Sequence, residues 1–247
     1  MRIGIIGSEN SHVGHIVEHL KDGPDRVVAV VDAPEDLFGL VDAVVVAHRH
    51  GDLHRPHAIP FLREGLPVFV DKPLAVTNED AEAIVAEALA HHAPLTSFSA
   101  LRWLPGTDAL AAAGTPLRVT ASGPVDPASP YGGIFFYGIH PVDVALRLAP
   151  GPIESVDVTT HDDRIAVLAR VGGVEVEIDL VLGEAPFRGS VTTSAGTTER
   201  ELVLDEHYFV PGLEKFLEMT ATGKPPVGYD DLLRPVHLLN AVAKAIA

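Results

Sequence analysis

Lys72 and the pair His140 and Asp143 are the residues in this sequence best placed to move protons. Lys72 follows Val68-Phe69-Val70-Asp71 and precedes Pro73. The proline ends strand pairing and disfavours helix at the residue before it, which fixes the lysine at the carboxyl end of a strand. In an open parallel sheet that end faces the crevice where ligands bind. Burial there would lower the amine towards about 7–8, a range suited to a general base. His140 exchanges protons near neutrality without such tuning. Asp143 lies one helical turn further on, so both side chains can face one substrate. Together these groups suit acid–base work on a hydroxyl.

Histidines form the second group. The chain has 13, and many crowd into the first 60 residues. His12 follows the first predicted strand, His48-Arg49-His50 the third, and His54 and His57 come just after. Imidazoles converging with carboxylates are transition-metal chemistry, and His12, His48, His50 and His54 are the set for that alternative. No helical pair in a recognised zinc motif is present, so a histidine-lined substrate pocket is the preferred reading. Arg49 can hold a carboxylate or phosphate through its planar fork. Arg49, His50, Arg102 and Tyr137 are the candidate substrate contacts. His91-His92, at a helix end, complement the helix dipole.

The elements that must position these residues read as follows. Residues 2–7 form a short buried strand, and Val13, Ile16, Val17 and Leu20 then recur at helical spacing, with Asn10 or Ser11 as cap. Strands are predicted at 26–32, 42–48, 68–72 and 95–98, and helices at 55–65 and 77–92. Strands apolar on both faces, alternating with helices, mean a parallel doubly wound, Rossmann-like α/β sheet over residues 1–100. From residue 101 to 247 the pattern is α+β. Helices at 105–113 and 132–148 precede strands at 154–160, 165–171, 175–182, 190–194 and 199–204, a mostly antiparallel sheet of about five strands. Gly172-Gly173 makes a two-residue hairpin turn. Helices at 213–222 and 230–247 close the chain, the second broken near Pro235.

Composition sets limits. The formal net charge of −16 argues against a nucleic-acid partner, which needs a basic face. No apolar run approaches the roughly 18 residues that span a bilayer. The sequence has no cysteine, which excludes disulfides and thiol nucleophiles. Without a signal-peptide core at its start, a cytoplasmic setting is expected.

Three stretches together resemble the Gfo/Idh/MocA oxidoreductases, the family of glucose–fructose oxidoreductase and inositol dehydrogenase. They are Asp71-Lys72-Pro73-Leu74; Gly132-Gly133 with Gly138-Ile139-His140-Pro141-Val142-Asp143; and Phe216-Leu217 with Gly223-Lys224-Pro225-Pro226-Val227 and the closing helix. The resemblance implies NAD(P)-dependent oxidation of a sugar-like or cyclitol hydroxyl, with Lys72 and His140 as acid–base groups and Asp143 nearby. It also places Gly7, Ser8, Asn10, Ser11, His12, Asp32, His48 and Asp71 at the cofactor. Asp32, positioned to accept ribose hydroxyls, favours NAD over NADP.

Two departures stand out. Gly7-Ser8-Glu9-Asn10-Ser11-His12 keeps only the first glycine of the usual glycine-rich turn, and Glu9 brings a negative charge to where phosphate should sit. The stretch between Asp32 and Asp42 is too short for a crossover helix, which normally takes at least about 10–12 residues with its loops. These departures keep two alternatives open: a non-redox lyase, hydrolase or isomerase, and a ligand-binding protein with a degenerate dinucleotide site. An apolar face on the second sheet, with Thr159, Val167, Ala169, Val176, Ile178 and Leu180 as candidates, is expected to support a homodimer or higher homo-oligomer.

Overall fold

A computed structural model describes all residues from Met1 to Ala247. The first part of the chain runs β1 (Arg2–Ile6), α1 (Ser11–Leu20), β2 (Arg26–Val31), β3 (Ala43–Val46), α2 (His54–Arg63), β4 (Val68–Val70), α3 (Asn78–Ala90) and β5 (Leu95–Thr96). It continues with α4 (Pro105–Ala111), β6 (Arg118–Val125), α5 (Phe135–Leu148), β7 (Ile153–Thr160), β8 (Arg164–Val171), β9 (Val174–Leu182), β10 (Arg188–Thr193) and β11 (Gly196–Glu201). Helices α6 (Val210–Thr222) and α7 (Tyr229–Ile246) end it. Met1–Phe98 and Phe209–Leu233 make one compact unit, and Ser99–Tyr208 and Arg234–Ala247 a second. No helix is long and apolar enough to cross a membrane.

The first unit is the doubly wound sheet. Its five parallel strands lie in the order β2-β1-β3-β4-β5, so the winding reverses between β1 and β3, where such sheets open a binding crevice. Every residue of β3 and β4 is buried, which explains their unbroken apolar character. Asn10 caps α1, its side chain accepting from the His12 N–H at 3.0 Å. The crossover after β2 shrinks to a single 3₁₀ turn, Pro34–Leu37. Leu37 is fully buried over Gly4 of β1, where an added Cβ would lie 2.6 Å from its side chain. The turn thus plugs the sheet with one leucine, and Val28 and Val30 of the edge strand β2 are 40% exposed. The α6 segment supplies the rest of this unit's core. Phe209 and Phe216 join Phe69, whose ring stacks on Phe98 at 4.7 Å.

The second unit has a six-stranded sheet, order β11-β10-β6-β9-β8-β7, antiparallel except where β6 pairs with β9. Strand β6 is the element missing from the sequence expectation of five strands. Val119, Ala121, Gly123 and Val125 alternate inward along it, but Gly123-Pro124 obscures the pattern. Pro124 lies beyond the last pairing with β10, so its missing N–H breaks no bond there. The hairpin at Gly172-Gly173 holds, both glycines at positive φ, as a two-residue turn between twisted strands requires.

Two expectations are corrected. Val167, Ala169, Val176, Ile178 and Leu180 do not form an open face: all are buried against the helix layer that includes α5. Of the six residues named for that face only Thr159 is exposed. The solvent side of the sheet is instead charged, with Arg118 paired to Glu175 and Glu177, and Arg164 to Asp179. Nor does α7 break at Pro235. The proline removes one intrahelical bond. The neighbouring Arg234 is tied to the carbonyls of Leu146, Ala149 and Gly151, and Val236, Leu238, Leu239 and Val242 are buried.

Candidate active site

In the first unit the carboxyl ends of β1, β3 and β4 bring Gly7, His48, Asp71 and Lys72 to one edge of the sheet. Gly7 sits at φ +92, and a Cβ there would lie 2.8 Å from the His48 backbone nitrogen and ring, so no larger residue fits. Glu9 does not project outward freely. Its carboxylate accepts from the Arg49 N–H at 3.0 Å and lies 3.2 Å from His48 Nδ1. Burial pushes this carboxyl up, but hydrogen bonds from its own and the Arg49 backbone, with His48, outweigh that and leave its pKa lowered.

Asp71 and Lys72 point into different surroundings. Asp71 is buried and accepts from Asn10 Nδ2 at 2.6 Å, with His12 Nδ1 at 3.1 Å from both its oxygens. The His12 ring stacks on Phe209 at 4.4 Å. Burial pushes the Asp71 carboxyl up, yet His12 and then Lys72 pull harder and hold it below the ordinary carboxylate range. Lys72 is 6% exposed, and burial lowers its amine pKa, with Asp71 opposing and Arg49 adding to the shift. The Lys72–Pro73 peptide bond is cis.

His54, fully buried, braces this edge. Its Nδ1 lies 2.7 Å from the Pro73 carbonyl and 3.3 Å from that of Leu74, and its Nε2 lies 2.9 Å from that of His48. It thereby links the turn after Lys72 to the end of β3. Burial lowers its pKa against these carbonyls and Asp71. His50 caps the next turn by accepting from the Asp52 N–H at 3.3 Å. The four histidines considered for a metal are thus drawn to different partners, and no three metal-ligating side chains come together. His48 Nε2 and His57 Nδ1 are buried ring nitrogens without a protein partner, their rings 4.7 Å apart. At the end of β2, Asp32 is exposed and accepts from Ser8 Oγ at 3.2 Å, and Ser11 opens α1 at the surface.

In the second unit α5 carries His140 and Asp143, both buried. They do not share a substrate-facing surface as their spacing suggests. The Asp143 carboxylate is consumed by the Ser99 N–H at 2.8 Å and Arg102 at 2.6 Å. Arg102, buried and paired in this way, is a support for Asp143 rather than an exposed contact. His140 instead meets Ser99, Nδ1 to Oγ at 2.6 Å, and packs against Phe187 at 5.4 Å and Tyr137 at 6.3 Å. Tyr137 is 43% exposed and lines a cleft of about 550 Å³ with Pro124, Pro127, Leu182 and Glu184. Sequence reasoning missed Ser99, Phe187 and Phe209. None sits in a recognisable spacing, and only the fold brings them to His140 and His12.

Residues 17–98 match the family model described as "Oxidoreductase family, NAD-binding Rossmann fold", that of Gfo/Idh/MocA. No curated protein matches the sequence. Among solved structures, a dehydrogenase from Chromobacterium violaceum is similar with TM-score 0.84 and 15% identity, over 99% of this chain and 94% of that one. The myo-inositol dehydrogenase from Lactobacillus casei, in complex with NAD(H) and myo-inositol, gives 0.81 and 18%, over 100% and 94%. UDP-N-acetylglucosamine 3-dehydrogenase from Acidithiobacillus ferrooxidans gives 0.81 and 17%, over 99% and 97%. Residues 17–98 are therefore similar in sequence to the Gfo/Idh/MocA oxidoreductases, and the chain as a whole has the fold of these solved structures.

Proposed function

We propose that the protein is an NAD-dependent oxidoreductase acting on a hydroxyl of a polar small molecule of sugar or cyclitol type. The observation that carries this reading is Lys72, a buried amine at the carboxyl end of β4 whose pKa burial lowers. Such an amine is neutral over more of the working pH range than a surface lysine and can take a proton from an alcohol. The dehydrogenase with bound myo-inositol and NAD(H) supports the substrate class by likeness of fold.

The residues present fit a dinucleotide. The capped N-terminus of α1 offers N–H groups to an anion, Gly7 keeps the first turn tight, and the buried Nε2 of His48 lacks a partner nearby. Asp32, exposed at the end of β2, would accept ribose hydroxyls and repel a 2′-phosphate, which favours NAD over NADP. Bound NAD would supply the hydride acceptor. In the first unit Lys72 is assigned to take the hydroxyl proton, and in the second His140 is assigned to hydrogen-bond substrate. Asp143 and Arg102 hold Ser99, the partner of His140, in place.

The test is to follow nicotinamide reduction with NAD or NADP and myo-inositol or simple sugars. Lys72→Ala should lower turnover by about 10²–10⁴-fold while the protein stays folded. Full turnover by Lys72→Ala would remove the base. Glu9 and the single-turn crossover favour a second reading, an acid–base or binding protein without a dinucleotide. Calorimetry showing no heat with NAD or NADP, in wild type or Glu9→Gly, would make it the leading one.

A further inference from the structure

The hydroxyl of Ser99 touches His140 at 2.6 Å, and Ser99 is fully buried. A hydroxyl has one proton and two lone pairs. One lone pair of Oγ takes the Leu101 N–H at 3.2 Å, where Ser99 caps the short 3₁₀ turn Ala100–Trp103. The hydroxyl proton then needs an acceptor, because a buried donor left unpaired is costly. His140 Nδ1 is the acceptor in reach. The two oxygens of Asp143 take the Ser99 N–H and Arg102, so the carboxylate pins the Ser99 main chain and leaves the hydroxyl to the imidazole.

We infer that Ser99 is a positioning residue that holds His140 as the neutral Nε2–H tautomer, a hydrogen-bond donor and not a base. Protonating Nδ1 would turn it from acceptor to donor and strand the serine proton. His140 then takes no proton itself and steadies a substrate oxygen as charge develops on it. The inference rests on the proposed role of His140, and it narrows that role from acid–base group to donor.

The tautomer is read directly by nitrogen NMR on the full chain labelled with ¹⁵N-histidine, the His140 signals assigned through its backbone. Near neutral pH wild type should show Nε2 protonated and Nδ1 bare but shifted by an accepted hydrogen bond. Ser99→Ala should move the Nδ1 signal to the value of a nitrogen with no donor, and Ser99→Thr should restore it. A wild-type ring protonated at Nδ1, or at both nitrogens, overturns the inference, as do unchanged signals in Ser99→Ala. If Ser99→Ala does not fold, the wild-type tautomer alone still decides. The measurement needs no turnover. Failure of the redox reading in the nicotinamide assay is therefore distinguishable from failure here.

Discussion

Glu9 stands where a glycine-rich turn would bring backbone against phosphate, and its carboxylate is folded onto the Arg49 N–H and His48 rather than aimed outward. The fold-back lessens the repulsion anticipated from sequence but does not remove the charge, since its pKa is lowered and the side chain is 43% exposed. Glu9→Gly should tighten NAD about three- to tenfold, the scale of a partly exposed charge interaction. Calorimetric titration of both proteins checks it, and equal or weaker binding by the variant would mean that Glu9 helps to shape the site. Lys72 gives a pH signature. Its amine must be neutral to act, so turnover should rise with pH through a midpoint below that of an ordinary lysine. A rate that is flat over that range would point away from a lysine base. Lys72 was legible because a proline after an apolar strand marks its position. The fate of Asp143 was not, because i, i+3 spacing tells which residues are neighbours and not which partner from another segment claims them.

At the level of elements, the first sheet shows how much depends on one buried acid. Asp71 ties the end of β4 to the cap and first turn of α1 through Asn10 and His12. Asp71→Asn should destabilise the fold by about 3–5 kcal/mol, as for breaking a buried charged pair. The sign with pH follows from the lowered carboxyl. Its contribution is complete above the unfolded aspartate value, about 3.9, and is lost as pH falls towards the still lower folded value. In acid titration of unfolding the variant should therefore lose less stability than wild type, and parallel curves would refute this. In the second sheet Ile178 belongs to the core, and Ile178→Ala should cost about 2–5 kcal/mol in denaturant melts. A dissociating but equally stable variant would restore the interface reading. The alternating strands β7 to β9 were readable from their periodicity, but the side that would be covered was not, because it depends on where α5 lies. Strand β6 escaped because Gly123-Pro124 looks like a turn.

At the scale of the molecule, the alternation of strands and helices revealed the parallel sheet, and the run of strands after it revealed the second one. What stayed hidden is the path of the chain, since nothing in the local pattern of residues 209–233 tells that they return to the first unit.

That return has a consequence for how the protein is made. Phe69 and Phe98 stack early in the chain, but Phe209 and Phe216, which complete the cluster, leave the ribosome more than a hundred residues later. Until then the nascent first unit carries an unfinished aromatic core and a His12 ring without its stacking partner. A fragment of residues 1–98 should bind a hydrophobic dye and resist protease poorly, and supplying residues 209–233 through a linker should correct both. A fragment as protease-resistant as the intact chain would show that the late phenylalanines are dispensable. In synthesis, the first half of this sequence waits for the last.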